Sequence, residues 1–494
     1  MPLLSQSRSD ARLIYELASA ALVAVALLSY ATDAFAVSIL LTSAAYALLL
    51  RAARCNQAGW PGHPLRIILP LFTAFQLLHW LRCEYLIQNP SVASTYYRYL
   101  GYSFASAAPA CASYLLMHWP YFFGLHAGFC RYSPRSAPTP TVIKATPFLA
   151  VTATLLLVGM LGFIFSAGRT ASVPRFLGYF ISNSLRFTPL LWMLLTFIAL
   201  KRNRHAKTAW MFHGASLVIG FAALLVTRMR FLLLEQVAAL AVVFMTRPRF
   251  GATAVGRALA CALFGVALVI VATDIKTTGD IRDESLQERS PTATLETFLY
   301  RSASFHADAI TRESDYAQSL FFENRQNIIL EMLSGIPFSG MASNYAMSDP
   351  TNTFDMRFLW LRSRQVVYSS FFVSGFTAVR QSMGMGIALM LAILAGLLQG
   401  QLAARARASG AESWWIIPQA AVLPVGLHGF RKADFARVAV NLLLFPMLGK
   451  VWTTTAVPRR SGPQAALRMS KIAGAFQGPL APSSRTAVPA ARKP

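Results

Sequence analysis

Residues 34–50 read AFAVSILLTSAAYALLL and run into Arg51, so seventeen residues pass without a charge before a cation closes the run. A helix that crosses a bilayer needs about 20 predominantly apolar residues and stops where a basic side chain meets the headgroups. Further apolar runs begin near Leu13, Ile67, Tyr99, Thr146, Phe176, Ala209, Phe231, Ala258, Gly384, Ser413 and Ala436, which makes about twelve spans in all. The sequence therefore predicts an all-α polytopic integral membrane protein of about twelve transmembrane helices.

Composition points the same way. Of 494 residues, 55% are apolar and only 13% charged, against roughly a quarter charged in an ordinary soluble domain. Mean hydropathy is +0.47. A disordered chain needs low hydrophobicity, a disulfide scaffold dense cysteine and a coiled coil charged heptads, so all three are excluded.

The net charge of +25 suggests nucleic acid until the positions are read. The cations sit in short connectors, as in Lys201-Arg202-Asn203-Arg204-His205-Ala206-Lys207 and Arg247-Pro248-Arg249. That is the positive-inside pattern, so the charge reads as topology and nucleic acid is not an expected partner. With Arg8 and Arg12 inside, alternate connectors fall inside: Arg51/Arg54/Arg66, Arg131/Arg135/Lys144, Lys201 to Lys207, Arg247/Arg249/Arg257, Arg405/Arg407 and the tail with Arg459/Arg460. Both termini are then cytoplasmic. Ala34-Phe35-Ala36 resembles a signal-peptidase site, but a second apolar run starts there, so the first run is read as a retained anchor.

Four regions follow. Residues 1–274 form a membrane bundle of about nine helices, 275–383 an external, mainly helical loop domain, 384–453 the C-terminal membrane helices and 454–494 a disordered basic tail. This division of nine to three gives no sign of a two-fold transporter repeat. Thirteen of the twenty acidic residues lie between Asp274 and Asp355, which sets the external segment apart. Ser290-Pro291 opens one helix there, and a second runs from about Tyr316 to Leu333, stopped by Gly335 and Pro337. The apolar stretch Val366 to Val379 is too short for a span and reads as re-entrant or interfacial. The five cysteines, Cys55, Cys83, Cys111, Cys130 and Cys261, lie outside this segment, show no zinc spacing and read as small packing residues.

Charges inside the bilayer cost at least about 2.5–3.5 kcal/mol at mid-depth, so each embedded one needs a reason. Arg186 lies about ten residues into the sixth run, either as a structural partner of Glu235, Glu16 or a backbone carbonyl or as a functional cation. Arg228 and Arg230 occupy an external turn, against the charge bias of the other connectors. Their anion is either Glu235, about one turn deeper, or a phosphate, which guanidinium grips in bidentate fashion at any pH. The external segment adds Arg301, Arg325 and Asp308, and its single histidine, His306, is either a general base or a surface residue. Neither a phosphate-binding Gly-rich loop nor a Gly-x-Ser-x-Gly elbow or His-Glu-x-x-His helix is present, and the acidic residues have no EF-hand spacing. The reading includes neither metal nor cofactor.

Two phrases carry a resemblance. Asn324-Arg325-Gln326-Asn327-Ile328-Ile329-Leu330-Glu331 through Ile336-Pro337-Phe338-Ser339-Gly340 looks like a loop helix ending in a Pro and Gly turn, and Ser374-Gly375-Phe376 through Met383-Gly384-Met385-Gly386 like a Gly-rich entry into the next span. With one long external loop late in the chain and outer-edge arginines two spans before it, the stretch Phe221 to Gly400 resembles the bacterial polysaccharide polymerases of the Wzy and O-antigen polymerase/ligase type. The His-plus-Gly phrase of the ligase branch is not clear here, which favours polymerase over ligase.

The resemblance implies glycosyl transfer from a polyprenyl diphosphate-linked oligosaccharide at the outer face of the bacterial plasma membrane, without a metal and with a chain-length regulator as a possible partner beside membrane lipid. In such a reaction Arg228 and Arg230, with Arg301 and Arg325 from the loop and Arg186 deeper in, would bind the diphosphate, and His306 or Asp308 would deprotonate the acceptor hydroxyl. The competing readings are a flippase or transporter of a lipid-linked sugar or other anion, an O-antigen ligase, and a non-catalytic assembly subunit.

Overall fold

The computed structural model of the chain describes residues 2–55, 63–89, 106–131, 141–143, 374–408, 430 and 453–455. The apolar runs read near Thr146, Phe176, Ala209, Phe231, Ala258, Ser413 and Ala436 lie outside these residues, as do the external segment up to residue 373 and the basic tail. Six helices make up nearly all of what is described: α1 (Pro2–Ala31), α2 (Phe35–Cys55), α3 (Leu65–Gln88), α4 (Ala108–Arg131), α5 (Gly375–Met383) and α6 (Met385–Ala408). Three stretches, Asp10–Ala31, Phe35–Cys55 and Met385–Ala404, are long and apolar enough to cross a membrane. The outward faces are apolar as well. Leu28 is 67% exposed, Leu40 63% and Ile14 63%, an arrangement suited to lipid and costly in water.

Helices α1 and α2 form a hairpin around Thr32 and Asp33. Asp33 takes φ 59°, a left-handed conformation that Asp adopts more readily than most residues, and Tyr30 meets Phe35 edge-on across the turn. The Ala34-Phe35-Ala36 phrase thus opens α2 within a closed hairpin. Helix α4 is the centre: eighteen of its 24 residues are buried, as expected of a helix that is apolar on every side. Glu84 of α3 accepts hydrogen bonds from Trp80 Nε1, Ser106 Oγ and Ala107 N, so a carboxylate sits at the positive end of the α4 dipole.

Side-chain pairings fix the directions. Glu16 meets His126 while Ser19 accepts from Trp119, so α1 runs antiparallel to α4. His63 meets His126, Phe72 meets His118 and Glu84 meets Ala107, so α3 does too. Helix α2, antiparallel to α1 by the hairpin, runs with α4, and Tyr46 donates to the carbonyl of Leu115 at 2.6 Å.

The closest packing joins α4 to α6. Each helix carries glycines four apart, Gly124 and Gly128 on α4 and Gly396 and Gly400 on α6. A Cβ on Gly128 would strike the carbonyl of Leu397, one on Gly396 the carbonyl of Tyr121, and one on Gly400 that of Leu125. Small-xxx-small spacing is what lets two helix backbones touch in a membrane. Residue numbers rise together across this contact, from 121 against 396 to 125 against 400, so α4 and α6 are parallel. Phe129 continues the seam onto Ala403 and Ala404.

Helix α5 has nine residues and is about 14 Å long at 1.5 Å per residue, half of the hydrocarbon core. Residues 374–379 are buried, Arg380 donates to Ser113 Oγ of α4 at 2.9 Å, and Gly384 turns the chain into α6 with φ 94°. The described part of the short apolar stretch therefore lies in a short buried helix. One feature departs from an all-helical chain: Thr141–Ile143 (β1) pairs antiparallel with Thr453–Thr455 (β2), Thr141 opposite Thr455.

Replacing Gly396 or Gly128 by Ala forces α4 and α6 apart and is expected to cost about 1–3 kcal/mol or more. Gly386 faces open space, so Gly386→Ala is the control, and its thermal melting in detergent should match the unaltered protein while Gly396→Ala melts lower.

Candidate functional site

All seven residues singled out for chemistry, His306, Asp308, Arg228, Arg230, Arg301, Arg325 and Arg186, lie outside the described residues. Within them, two polar nodes interrupt the apolar bundle, each built on a buried histidine of α4.

The first is His118. Its Nδ1 lies 2.8 Å from the carbonyl of Tyr114 and must donate to it, which leaves Nε2 to accept from the backbone N–H of Phe430 at 3.0 Å. The carbonyl of Phe430 in turn accepts from Gly375 N at 2.7 Å. Phe376 and Phe430 stack with centroids 4.7 Å apart, and Tyr121 packs on both rings. Both nitrogens of His118 are taken by backbone groups, so this histidine works as a joint. It ties residue 430 and the start of α5 to the central helix.

The second node lies near the C-terminal end of α4, where the N-terminal half of α1, the end of α2 and the start of α3 converge. His63 and His126 are almost fully buried. Leu65 N–H points at His63 Nδ1 at 3.2 Å, which makes that nitrogen an acceptor and puts the proton on Nε2. His63 Nε2 then donates to His126 Nδ1 at 3.1 Å, and His126 Nε2 donates to Glu16 Oε1 at 2.8 Å. Glu16 Oε1 also receives Arg12 Nε at 2.7 Å. The result is a hydrogen-bonded chain from backbone amide through two imidazoles and a carboxylate to a guanidinium, with each proton position dictated by the next acceptor. Cys130 Sγ lies 3.7 Å from His126 Nδ1. The reactive atoms of His63, His126 and Cys130 all fall within 4.8 Å of one another. Two imidazoles and a thiol at this separation are a donor set for a borderline-soft metal ion.

Glu16, weighed from sequence as a partner for Arg186, is engaged here by Arg12 and His126. Cys83 and Cys111 are buried packing residues as expected, whereas Cys130 faces the imidazole pair. Neither His63 nor His126 stood out in the sequence. The available signal was His126 and Cys130 at i and i+4 on one apolar helix, which places both on one face, together with the rarity of ionisable groups such as Glu16 in a span.

Comparisons of the chain with protein-family models, with curated proteins and with solved structures find no match.

Hydrogen bonds to charged groups contribute about 1.5–3 kcal/mol each. Glu16→Ala is therefore expected to lower stability by about that much, and a double-mutant cycle of Glu16→Gln with His126→Asn should give a coupling energy above 0.5 kcal/mol, on the order found for residues in one network. Additive effects would mean that the pair does not couple.

Proposed function

We propose that the chain is a membrane glycosyltransferase that polymerises polyprenyl diphosphate-linked oligosaccharide units into a surface polysaccharide at the outer face of the bacterial plasma membrane. The observation that carries this reading furthest is the parallel packing of α4 and α6. Two spans that run the same way in one bilayer are joined by an odd number of crossings. The five apolar runs read from the sequence near Thr146, Phe176, Ala209, Phe231 and Ala258 would supply such an odd number.

Charge gives the sense of the crossing. Arg12, Arg54, Arg66, Arg131, Arg405 and Arg407 all belong to one end of the bundle, where α1 and α3 begin and α2, α4 and α6 finish. The opposite end holds Asp33 and Glu84 with only Arg82 and Arg380 as cations among the described residues. By the positive-inside rule the basic end is cytoplasmic. The 275–383 segment then reaches α5 and α6 from outside, with both termini inside. The β1–β2 pairing is consistent, since it brings a connector and a tail that both count as cytoplasmic into one ribbon.

An external domain rich in acidic residues and interleaved with arginines suits a reaction on a lipid-anchored diphosphate. The acceptor hydroxyl attacks the anomeric carbon, its proton passes to His306 or Asp308, and the polyprenyl diphosphate leaves. Arg228, Arg230, Arg301 and Arg325 offset the negative charge on the leaving group, with Arg186 available deeper in the bundle, and such fixed cations act without a metal. A lipid-facing surface as apolar as that of α1, α2 and α6 supplies walls for the isoprenoid.

The test is a gel of surface and lipid-linked glycans from cells that lack the gene or carry Arg228→Ala or Arg228→Lys. Polymerisation predicts loss of the long-chain ladder in both Arg228 alleles while single units still reach the surface, because Lys keeps the charge without the bidentate fork. Accumulation of lipid-linked units on the inner side would instead assign the chain to translocation.

A further inference from the structure

We propose that His63 Nε2, His126 Nδ1 and Cys130 Sγ form a metal site for a zinc-class ion at the basic end of the bundle. The site is separate from the chemistry at the outer face, and its evidence is independent of that reading.

The distances suit an ion better than they suit packing alone. Zinc bonds to nitrogen at about 2.0–2.1 Å and to sulfur at about 2.3 Å, which sets tetrahedral edges of about 3.4 Å between two nitrogens and about 3.6 Å between nitrogen and sulfur. The corresponding separations are 3.1 Å for His63 to His126 and 3.7 Å for His126 to Cys130. The third edge, His63 to Cys130, lies within 4.8 Å, so the Cys130 side chain has to close by up to about 1 Å to complete the tetrahedron.

The outer contacts are also those of a ligand set. A metal-bound histidine characteristically gives its other ring N–H to a carboxylate, which fixes the ring and raises its basicity. His126 does this to Glu16 at 2.8 Å. Arg12 lies within electrostatic range of Cys130 and of Cys55 at the end of α2, and a nearby cation favours thiolate. The same cation would repel a metal, but its charge is met by Glu16 at 2.7 Å. The fourth vertex falls to water.

Binding balances simply. The Cys130 thiol releases one proton to solvent as the sulfur–metal bond forms. His126 Nδ1 already carries no proton. His63 exchanges its Nε2 proton for one on Nδ1, with no net release, and gives up the hydrogen bond from Leu65 N. That bond is 3.2 Å long, and the exchange turns two buried donors, Leu65 N–H and His63 Nδ1–H, toward each other, a penalty that metal binding has to exceed. Once bound, the ion would tie the entry of α3 to the last turn of α4, replacing a relay of hydrogen bonds with a cross-link.

The experiment uses the full-length protein in detergent, stripped with a chelator and titrated with Co²⁺. One equivalent per chain with a thiolate-to-cobalt charge-transfer band, displaced by Zn²⁺, is the expected result. Cys130→Ser, nearly isosteric, should abolish that band while eluting as the unaltered protein does, and Glu16→Gln should weaken binding about 10- to 100-fold. No stoichiometric binding overturns the proposal, as does a band that survives Cys130→Ser or disappears only with Cys55→Ser. If His63→Ala or His126→Ala fails to fold, Cys130→Ser alone decides. The readout is metal, so it stands apart from any loss of polysaccharide.

Discussion

Four glycines let the backbones of α4 and α6 touch, and the described structure is organised around that contact. Helices in lipid gain little from hiding apolar side chains from one another, because the acyl chains are equally apolar. Association has to come from close van der Waals contact and from polar groups with nowhere else to go. Gly124, Gly128, Gly396 and Gly400 provide the first, with each glycine opposite a backbone carbonyl or amide of the partner helix. The contact also bridges residues more than 250 positions apart, so it brings the segment following the long connector against the fourth helix of the chain. Because the two run parallel, it constrains every crossing between them.

Polar groups supply the rest, and they are placed economically. Ser19 accepts from Trp119 Nε1 and donates to the carbonyl of Ala45, so one hydroxyl stitches α4, α1 and α2. His118 holds Phe430 through its backbone. Glu84 takes three donors at the start of α4. In an apolar medium each of these groups would be costly if left alone, and each is met by a partner from another element. The polar side chains in the bundle therefore act as joints that specify which helix meets which. The His63–His126–Glu16–Arg12 chain goes further, since it concentrates two imidazoles, a carboxylate and a guanidinium where hydrogen bonding alone needs fewer.

What the sequence made legible was the periodic part. Charge-free runs marked the helices at Leu13, Ala34, Ile67 and Gly384, and the basic connectors predicted the directions that the glycine seam and the histidine contacts display. The apolar stretch before Gly384, read as re-entrant or interfacial, is described only from residue 374, where it enters the buried α5. Less was readable where the information is non-local. Gly124-x-x-x-Gly128 and Gly396-x-x-x-Gly400 are visible as spacings, but nothing local says that each is the other's partner. The ligand cluster is drawn from one residue before α3 and two on α4, so no compact cysteine and histidine signature exists for a motif search to find. Cys130 reads as packing until His63 is brought across 63 residues of sequence to His126. The β1–β2 ribbon joins two three-residue strands, too short for a period-2 pattern to register.

The two ends of α4 are built for different purposes, and the difference bears on how the molecule works. At its start, α4 receives Arg380 on Ser113 and, through His118, the backbone of Phe430, which itself holds Gly375. Helix α5 is thus clamped at the point where the long acidic segment re-enters the bundle. If the 275–383 segment presents arginines and a base to a lipid-anchored substrate as proposed, it needs a fixed footing, since a misplacement of about 1 Å in a reacting geometry can cost on the order of 100-fold in rate. The footing is bonded to α4, and α4 is locked to α6 through glycine. At its far end α4 carries His126 and Cys130 against the entry of α3. Loosening that end would let α3 and the α1–α2 hairpin shift against α4. The proposed cross-link at the basic end would accordingly hold α3 and the hairpin in place against α4.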